Sequence, residues 1–421
     1  MKVAIIGAGF VGLSAALNLL EKDVDVTLFE KDSIPGGLAN GFKEPEWRWS
    51  LEKHYHHIFT SDKIVLDLAN KVGQRIIFNT PETLSFYEGE AFRLDSPMSL
   101  LEFGKISFAD RVRTGIILLY LKITSDWKKL ESITAESFIT KWMGEKSWEI
   151  LWKPLFVKKF GKEYKKIPAS WFWARIKKRS QSLGYPEGGF DSFSGKIADK
   201  IIKKKGVIKY REFVKSIKPH KEGFSIETNK NKYTFDKVIC TLPSSLFVKM
   251  VKGLPQKYTD KLLGLKGIGA VNLIIELEKP FMKGYWLSIN DMDIPFLCVV
   301  EQTNYMERRY YDGSRILYVG NYLPANHEYF DLNARQILSR YMKGLKQINP
   351  DFNYDWIKSL KVFKAPYAQP LVEKNYLKKI PDLKTPLRNL FLANIEQVYP
   401  WDRGTNYSVE LGTKVAELTL E

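Results

Sequence analysis

Residues 2–40 read KVAIIGAGFVGLSAALNLLEKDVDVTLFEKDSIPGGLAN, and this stretch decides the architecture. Residues 2–6 are almost continuously apolar, the pattern of a strand buried on both faces. Gly7, Gly9 and Gly12 follow as G-x-G-x-x-G, and a helical repeat begins at once with Leu13, Ala16, Leu17 and Leu20. A second apolar strand, 24–29, ends at Glu30, 18 residues beyond Gly12. Strand, glycine turn, helix, strand and acidic tip, in that order, are the context a dinucleotide fingerprint requires. Gly7 permits the tight turn, Gly9 lets the backbone approach a pyrophosphate, and Gly12 lets the helix pack close to the strand. The helix start offers unpaired N–H groups and a positive dipole end to phosphate. Glu30 is placed to accept hydrogen bonds from ribose hydroxyls and to repel a 2′-phosphate.

At 421 residues the chain is too long for one ordinary core, so two or three substructures are expected. Hydrophobic residues make up 44% and no disordered tract stands out, which is the composition of a folded protein. Only Cys240 and Cys298 occur, far apart and each in an apolar run. That pattern forms neither a disulfide framework nor a zinc spacing, and a reducing cytoplasm is expected. Glu21 and Lys22 close behind the first helix, with no small-residue cleavage site, argue against a secretory signal. No run of about 18 apolar residues is present to span a membrane. The formal charge of +17 suits nucleic acid, an anionic membrane surface or an acidic substrate. No nucleic-acid module is recognisable, so nucleic acid is not expected as a partner. The membrane, the substrate and a merely lysine-rich surface stay open, as does the number of subunits.

After Glu30 the chain reads KDSIP and then Gly36-Gly37. NAD does not need a second glycine pair just past the acidic strand tip. It is expected where a longer cofactor, FAD, passes its pyrophosphate and ribityl chain over the sheet edge. GxGxxG, then Glu, then five residues, then Gly-Gly resembles the flavoprotein amine oxidase, protoporphyrinogen oxidase and phytoene desaturase superfamily. The resemblance implies FAD, held by Gly7, Gly9, Gly12, Glu30, Gly36 and Gly37. It also implies an α/β fold, a Rossmann-like FAD-binding domain of the glutathione-reductase type interleaved with an α+β substrate domain. The expected division is 1–75, 185–245 and 385–421 for the FAD domain, and 76–184 and 246–384 for the substrate domain, whose residues 99–180 form a helical subdomain.

Residues 47–62, WRWSLEKHYHHIFTSD, hold His54, His56 and His57, three of the five histidines. Without a nearby Cys or paired carboxylates they make no metal set, and no metal is expected. HHIFTSD is similar to the HIFHT stretch of UDP-galactopyranose mutases, where a histidine lies near the flavin ring. That resemblance makes His57 the first catalytic candidate and His56 the second, against a reading of both as hydrogen-bonded core histidines.

From 99 to about 179 the pattern is helical and basic. IILLYL at 116–121 reads as a core helix, and Thr134 as the cap of another. Trp152, Trp171 and Trp173 then cluster among Lys153, Lys158, Lys159, Lys165 and Lys166. Such interleaving reads either as a peripheral face for an anionic membrane or as core aromatics with a wet basic rim. Strands are expected over 207–217 and within 224–241, and the resemblance gives Val214 a backbone contact to adenine. KAPYAQP, opening with Lys364, is similar to the family's segment leading back toward the flavin, which makes Lys364 a further catalytic candidate. Before the last helix, at 407–420, stands Ala393-Asn394 where the superfamily usually has Gly-Asp, so the amide of Asn394 is expected to make the ribityl or pyrophosphate contact. Arg403 supplies charge to a phosphate or a substrate anion. The N–H groups of Thr405, Asn406 and Tyr407, at a helix start, are expected to face the flavin pyrimidine carbonyl.

The leading functional expectation is an FAD-dependent oxidoreductase, moving a hydride from a bulky, lipid-like or anionic substrate to flavin N5. A flavin-dependent UDP-sugar mutase, without net redox change, is the alternative, with Arg175, Arg179 or Arg403 clamping a diphosphate. A non-catalytic flavin-binding protein is the third. A cytoplasmic protein is expected, with peripheral contact at the inner membrane face under the lipid reading.

Overall fold

A computed structural model describes residues 1–421. Its centre is a parallel sheet in the order Val207–Lys209, Asp25–Phe29, Lys2–Ile6, Lys237–Cys240 and Leu390–Leu392. The first strand pairs on both sides, Ile6 opposite Phe29 on one and opposite Cys240 on the other. Alternation along each strand distributes side chains to two cores. Val3, Ile5, Val26, Leu28, Ile239 and Phe391 face one core, which holds the helices Phe10–Leu20, Phe190–Lys203 and Thr405–Leu420. Ala4, Ile6, Val238, Cys240, Leu390 and Leu392 face the other, built from the antiparallel meander Val214–His220, Gly223–Thr228 and Lys232–Phe235. Both faces are covered, which is why the strand sequences are apolar throughout.

The first and last helices cross closely. A Cβ on Gly412 would strike the Val11 carbonyl oxygen, and Ser14 Oγ donates to the Val409 carbonyl at 2.9 Å. A seven-stranded mixed sheet lies beyond, in the order Ile357–Pro370, Gly267–Leu277, Arg315–Leu323, Cys298–Glu301, Trp286–Ile289, Thr83–Tyr87 and Glu90–Arg93. The helix Ala334–Ile348, opened by an Asn333/Gln336 capping box, packs against it. Between the two sheets the chain is helical, with Phe108–Ile123, Ala135–Met143, Lys153–Phe160 and Ala169–Lys178 as its main elements. Thr134 caps the second of these, accepting from the Ser137 N–H at 3.1 Å.

Two expectations change, and one open alternative is decided. The strand over 207–217 splits, because Arg211 takes a left-handed φ of 51° and its N–H bonds the Asp32 carbonyl. One strand therefore serves the parallel sheet and the next serves the meander. The 116–121 segment is helical but not core: within Phe108–Ile123 only Thr114 and Leu121 are buried. Of the two readings of the tryptophan–lysine cluster, core aromatics with a basic rim is the one found: Trp171 and Trp173 are buried, and Trp152 is half-buried. Periodicity identifies an apolar helix face but not what lies opposite it.

Two glycines of the first turn differ in what a methyl group would meet. On Gly12 it would run into the Gly7 carbonyl oxygen and lie 3.3 Å from Ile5 Cγ2, whereas on Gly9 its nearest neighbour is Gly37 Cα at 3.8 Å. Gly12→Ala is therefore expected to destabilise the protein by about 3 kcal/mol or more, at the upper end of overpacking costs. Gly9→Ala is expected to lose bound nucleotide while keeping the urea midpoint of the cofactor-free wild type. Equal midpoints for the two variants would contradict this assignment.

Candidate active site

A cleft of about 990 Å³ follows the carboxyl ends of the parallel strands and continues into the space before the seven-stranded sheet. Ligands of open α/β sheets bind at these strand ends, and the volume is at the top of the usual range of about 300–1,000 Å³.

One end is a cradle of backbone. Gly9 is the N-cap of Phe10–Leu20 without any side-chain cap, so the first N–H groups of that helix open on the cleft. The Gly36 N–H donates to the Ala8 carbonyl at 2.9 Å, which lays the second glycine pair against the first turn. Side chains at Gly9 or Gly37 would fill this groove, since a Cβ on Gly37 would come within 3.1 Å of Gly9 Cα. The Glu30 carboxylate accepts from the Ala8 N–H at 2.8 Å and from the Asp32 N–H at 2.9 Å. Burial pushes its pKa up while those two N–H groups oppose the rise. Its remaining lone pairs are free for hydroxyl donors. Val214 borders the same end.

Opposite this end a second helix start, Thr405–Leu420, is also uncapped by a side chain at Gly404, and Thr405 lines the cleft. Asn406 does not line it; its Oδ1 accepts from the Val65 N–H at 3.1 Å. The Asn394 side chain is fully engaged: Nδ2 donates to the Leu242 carbonyl at 3.0 Å and to Ser244 Oγ at 3.3 Å, and Oδ1 accepts from the Glu396 N–H. The amide expected to contact the cofactor thus has no spare donor, since both go to Leu242 and Ser244, and its oxygen is taken up by a capping box.

The far end is a chamber walled by aromatic and cationic side chains. His54, His56 and His57 line it, half-buried, and the surface they keep faces the cleft. Enclosure by protein, more than any neighbour, drives their pKa values down, to about 3, about 4 and about 3. All three are neutral at pH 7. His56 Nδ1 must carry its proton, since it lies 2.5 Å from the His54 carbonyl. His57 Nδ1 has no partner.

Arg175 pairs with Asp402 at 2.6 Å, whereas Arg403 leans on the Tyr322 hydroxyl and ring. Arg179 has no acidic partner; its surface opens into the cleft, and its charge is among the causes that keep His57 neutral. Lys364 is spent on the Phe330 carbonyl at 2.8 Å.

Sequence reasoning missed one prominent group. Lys159 is 7% exposed, makes no ion pair, and holds its ammonium over the rings of Tyr322 at 4.8 Å and Trp171 at 5.1 Å. Burial pushes its pKa well down, and Arg175 adds to this. The signal was present: Lys159 is four residues past Leu155 and three past Phe156, on the apolar face of its helix.

Comparison with known proteins places this geometry. The family profile described as flavin containing amine oxidoreductase matches residues 10–399. The chain belongs to that family. FAD is accordingly its cofactor, and the glycine groove, the Glu30 carboxylate and the two open helix starts suit it. A coproporphyrinogen III oxidase of Staphylococcus aureus is 24% identical over 290 residues, 58% of this chain and 61% of that protein. The chain thus spans about three-fifths of that relative's length. A structure of reduced UDP-galactopyranose mutase superposes with a TM-score of 0.79 at 18% identity, over 100% of this chain and 95% of the other. An oxidoreductase from Methanosarcina mazei gives 0.77 at 16% identity, over 100% of both chains. At these identities the two structures are alike in fold. No helix is long and apolar enough to cross a membrane.

The enclosed histidines link stability to pH. Unfolded, each binds a proton below its ordinary value of 6.5, while folded it stays neutral to pH 4 or lower. Stability is therefore lost as pH falls below 6.5. Six carboxyls act the other way. Glu52, pushed up to about 8, and Asp62, pushed up to about 6, hold protons in the fold that the unfolded chain releases. Burial also raises the pKa values of Glu30, Asp191, Glu301 and Glu396. Each neutral histidine adds a slope of up to about 1.4 kcal/mol per pH unit to the acid limb of urea titrations, which the carboxyls oppose. His57→Gln should flatten that limb. An unchanged limb would show that His57 titrates normally in the fold.

Proposed function

We propose that this flavoprotein oxidises an anionic, acceptor-rich organic substrate held in the cationic chamber. The observation that carries the reading is an excess of donors without acceptors. Lys159, Arg179 and Arg403 line the chamber and none of them pairs with a carboxylate, while the indole N–H groups of Trp152 and Trp171 are enclosed by protein without a partner. Buried donors left unpaired cost about 1–3 kcal/mol each, so a ligand supplying acceptors binds where one lacking them does not. An ammonium substrate would meet like charge. Among the relatives, the names coproporphyrinogen III oxidase and UDP-galactopyranose mutase point to anions, which agrees with this chemistry, whereas a putrescine oxidase of like fold, 14% identical, binds a cation.

FAD, when bound, supplies the hydride acceptor. The chain supplies orientation: Arg179 and Arg403 grip anionic oxygens, and Trp171 and Tyr322 flank the apolar body while Lys159 fixes its register. His57, neutral and with its unpaired Nε2 rather than the enclosed Nδ1 open to the chamber, is positioned to hydrogen-bond the reacting part of the substrate. Hydride abstraction of this kind needs no strong protein base, which fits three histidines held neutral. A mutase reading is favoured by one observation, the arginine set of the chamber, which also suits a diphosphate.

Purified protein should be yellow and release FAD on denaturation. Anaerobic mixing with carboxylated or phosphorylated reductants, coproporphyrinogen III among them, should bleach the flavin band, and putrescine should not. Bleaching by amines alone would overturn the anionic assignment. Interconversion of UDP-galactopyranose and UDP-galactofuranose by dithionite-reduced protein would replace oxidation with mutase chemistry. His57→Ala should keep FAD and lower turnover about tenfold, one net hydrogen bond in a closed site. Unchanged turnover would reduce His57 to a wall residue.

A further inference from the structure

The helix Phe108–Ile123 carries a stripe that nothing in the fold covers. Phe108, Ile116, Leu119 and Ile123 are 65%, 60%, 60% and 70% exposed, and Val112 completes their spacing of three and four residues along one face. Tyr120, 48% exposed, flanks the stripe. Scattered exposed apolar residues need no explanation, but a continuous row of large ones along four turns of one helix marks an interaction surface. At 16 residues the helix is too short to span a bilayer and suits lying in its surface.

Charge identifies the occupant. Residues 101–180 contain 18 Lys and Arg against eight Asp and Glu, a large part of the chain's net +17. From Arg111 to Lys122 the helix has no acidic residue, and Asp110 is matched by Arg113 at 3.5 Å. Arg113 also donates to the Lys141 carbonyl, which brings the neighbouring helix alongside with its Trp142, 49% exposed. A convex aliphatic stripe with cations on its flanks and an indole beside it is complementary to an anionic lipid surface, where apolar side chains enter the acyl boundary and cations meet headgroups.

We propose that Phe108–Ile123 is a docking element that lays the protein flat on an anionic membrane. The helix is coupled to the chamber. Lys122 Nζ bonds the Arg179 carbonyl, and Lys177 Nζ donates to the carbonyls of Lys122 and Ile123 at 2.8 Å each. The docking stripe and Arg175, Lys178 and Arg179 thus belong to one rigid helical pair beside the cleft. A membrane-resident amphiphile with an anionic head is the substrate form such an arrangement would deliver.

The FAD-loaded protein should be sedimented with phosphatidylcholine vesicles, with and without about a third of phosphatidylglycerol, at low and high salt. Binding to the anionic vesicles is expected to exceed binding to neutral ones at least tenfold and to fall with salt. Brominated lipids should quench part of the tryptophan fluorescence. The double variant Leu119→Glu/Ile123→Glu should lose vesicle binding at least tenfold with the flavin spectrum and melting temperature unchanged. Leu119→Ala/Ile123→Ala, which adds no charge, should lose binding to a smaller degree. Equal vesicle binding by wild type and both variants would overturn the proposal, as would no binding at low salt. So would a wild-type dimer in sedimentation velocity that Leu119→Glu/Ile123→Glu converts to monomer, since a second copy would then be the occupant.

Discussion

Glu30 holds together the segments on which the site depends. Its carboxylate accepts from the Ala8 and Asp32 N–H groups, its own N–H donates to the Lys209 carbonyl, and its carbonyl accepts from the Glu212 N–H. The first glycine turn, the second strand, the edge strand and the start of the meander therefore meet at one residue. With those bonds made, the carboxylate is fixed in direction and only its outward lone pairs are available to a ligand. Rigid placement of this kind lets a single acidic group select hydroxyls over a phosphate. The closeness of Gly9 to Gly37 follows from the same arrangement, because Ala8, bonded to Glu30 through its N–H, receives the Gly36 N–H on its carbonyl.

The two ends of the cleft differ in electrostatics. The nucleotide end combines open helix starts with an acidic tip. In the chamber, cations outnumber carboxylates, and Asp402 neutralises only Arg175. Lys159 is tolerated there because burial lowers its pKa and aromatic faces partly replace water around its amino group. A chamber so built keeps its histidines neutral and leaves Lys159 and Arg179 without acidic partners, which is the arrangement behind the proposal of an anionic substrate.

The helical insertion shows how one composition produces opposite surfaces. Trp171 and Trp173 sit among lysines in sequence yet pack inward, since their helix, Ala169–Lys178, is covered on its aromatic side by neighbouring helices and by Trp401. The row from Phe108 to Ile123 looks like core in sequence and faces outward. Both patterns are amphipathic, and each helix has one apolar face that needs a cover. Only the first finds it within this chain.

Legibility from the sequence divides along the same physical line. The fold class, the FAD fingerprint and the cap at Thr134 could be read directly, because each rests on contacts between residues close in the chain: a turn that needs glycines, a strand whose periodicity is its burial, a hydroxyl three residues from its N–H partner. The family resemblance drew on the same local motifs at the two ends. The placement of Lys159 over two rings, the engagement of the Asn394 amide by Leu242 and Ser244, the tie between Lys364 and Phe330, and the outward face of Phe108–Ile123 could not be read. Each depends on segments tens to hundreds of residues away, and the chain carries no local mark of what will arrive opposite a given face. Sequence determined which surfaces are apolar and which groups are charged; tertiary structure decided which of them were covered, paired or left open, because desolvation and pairing are properties of the assembled neighbourhood.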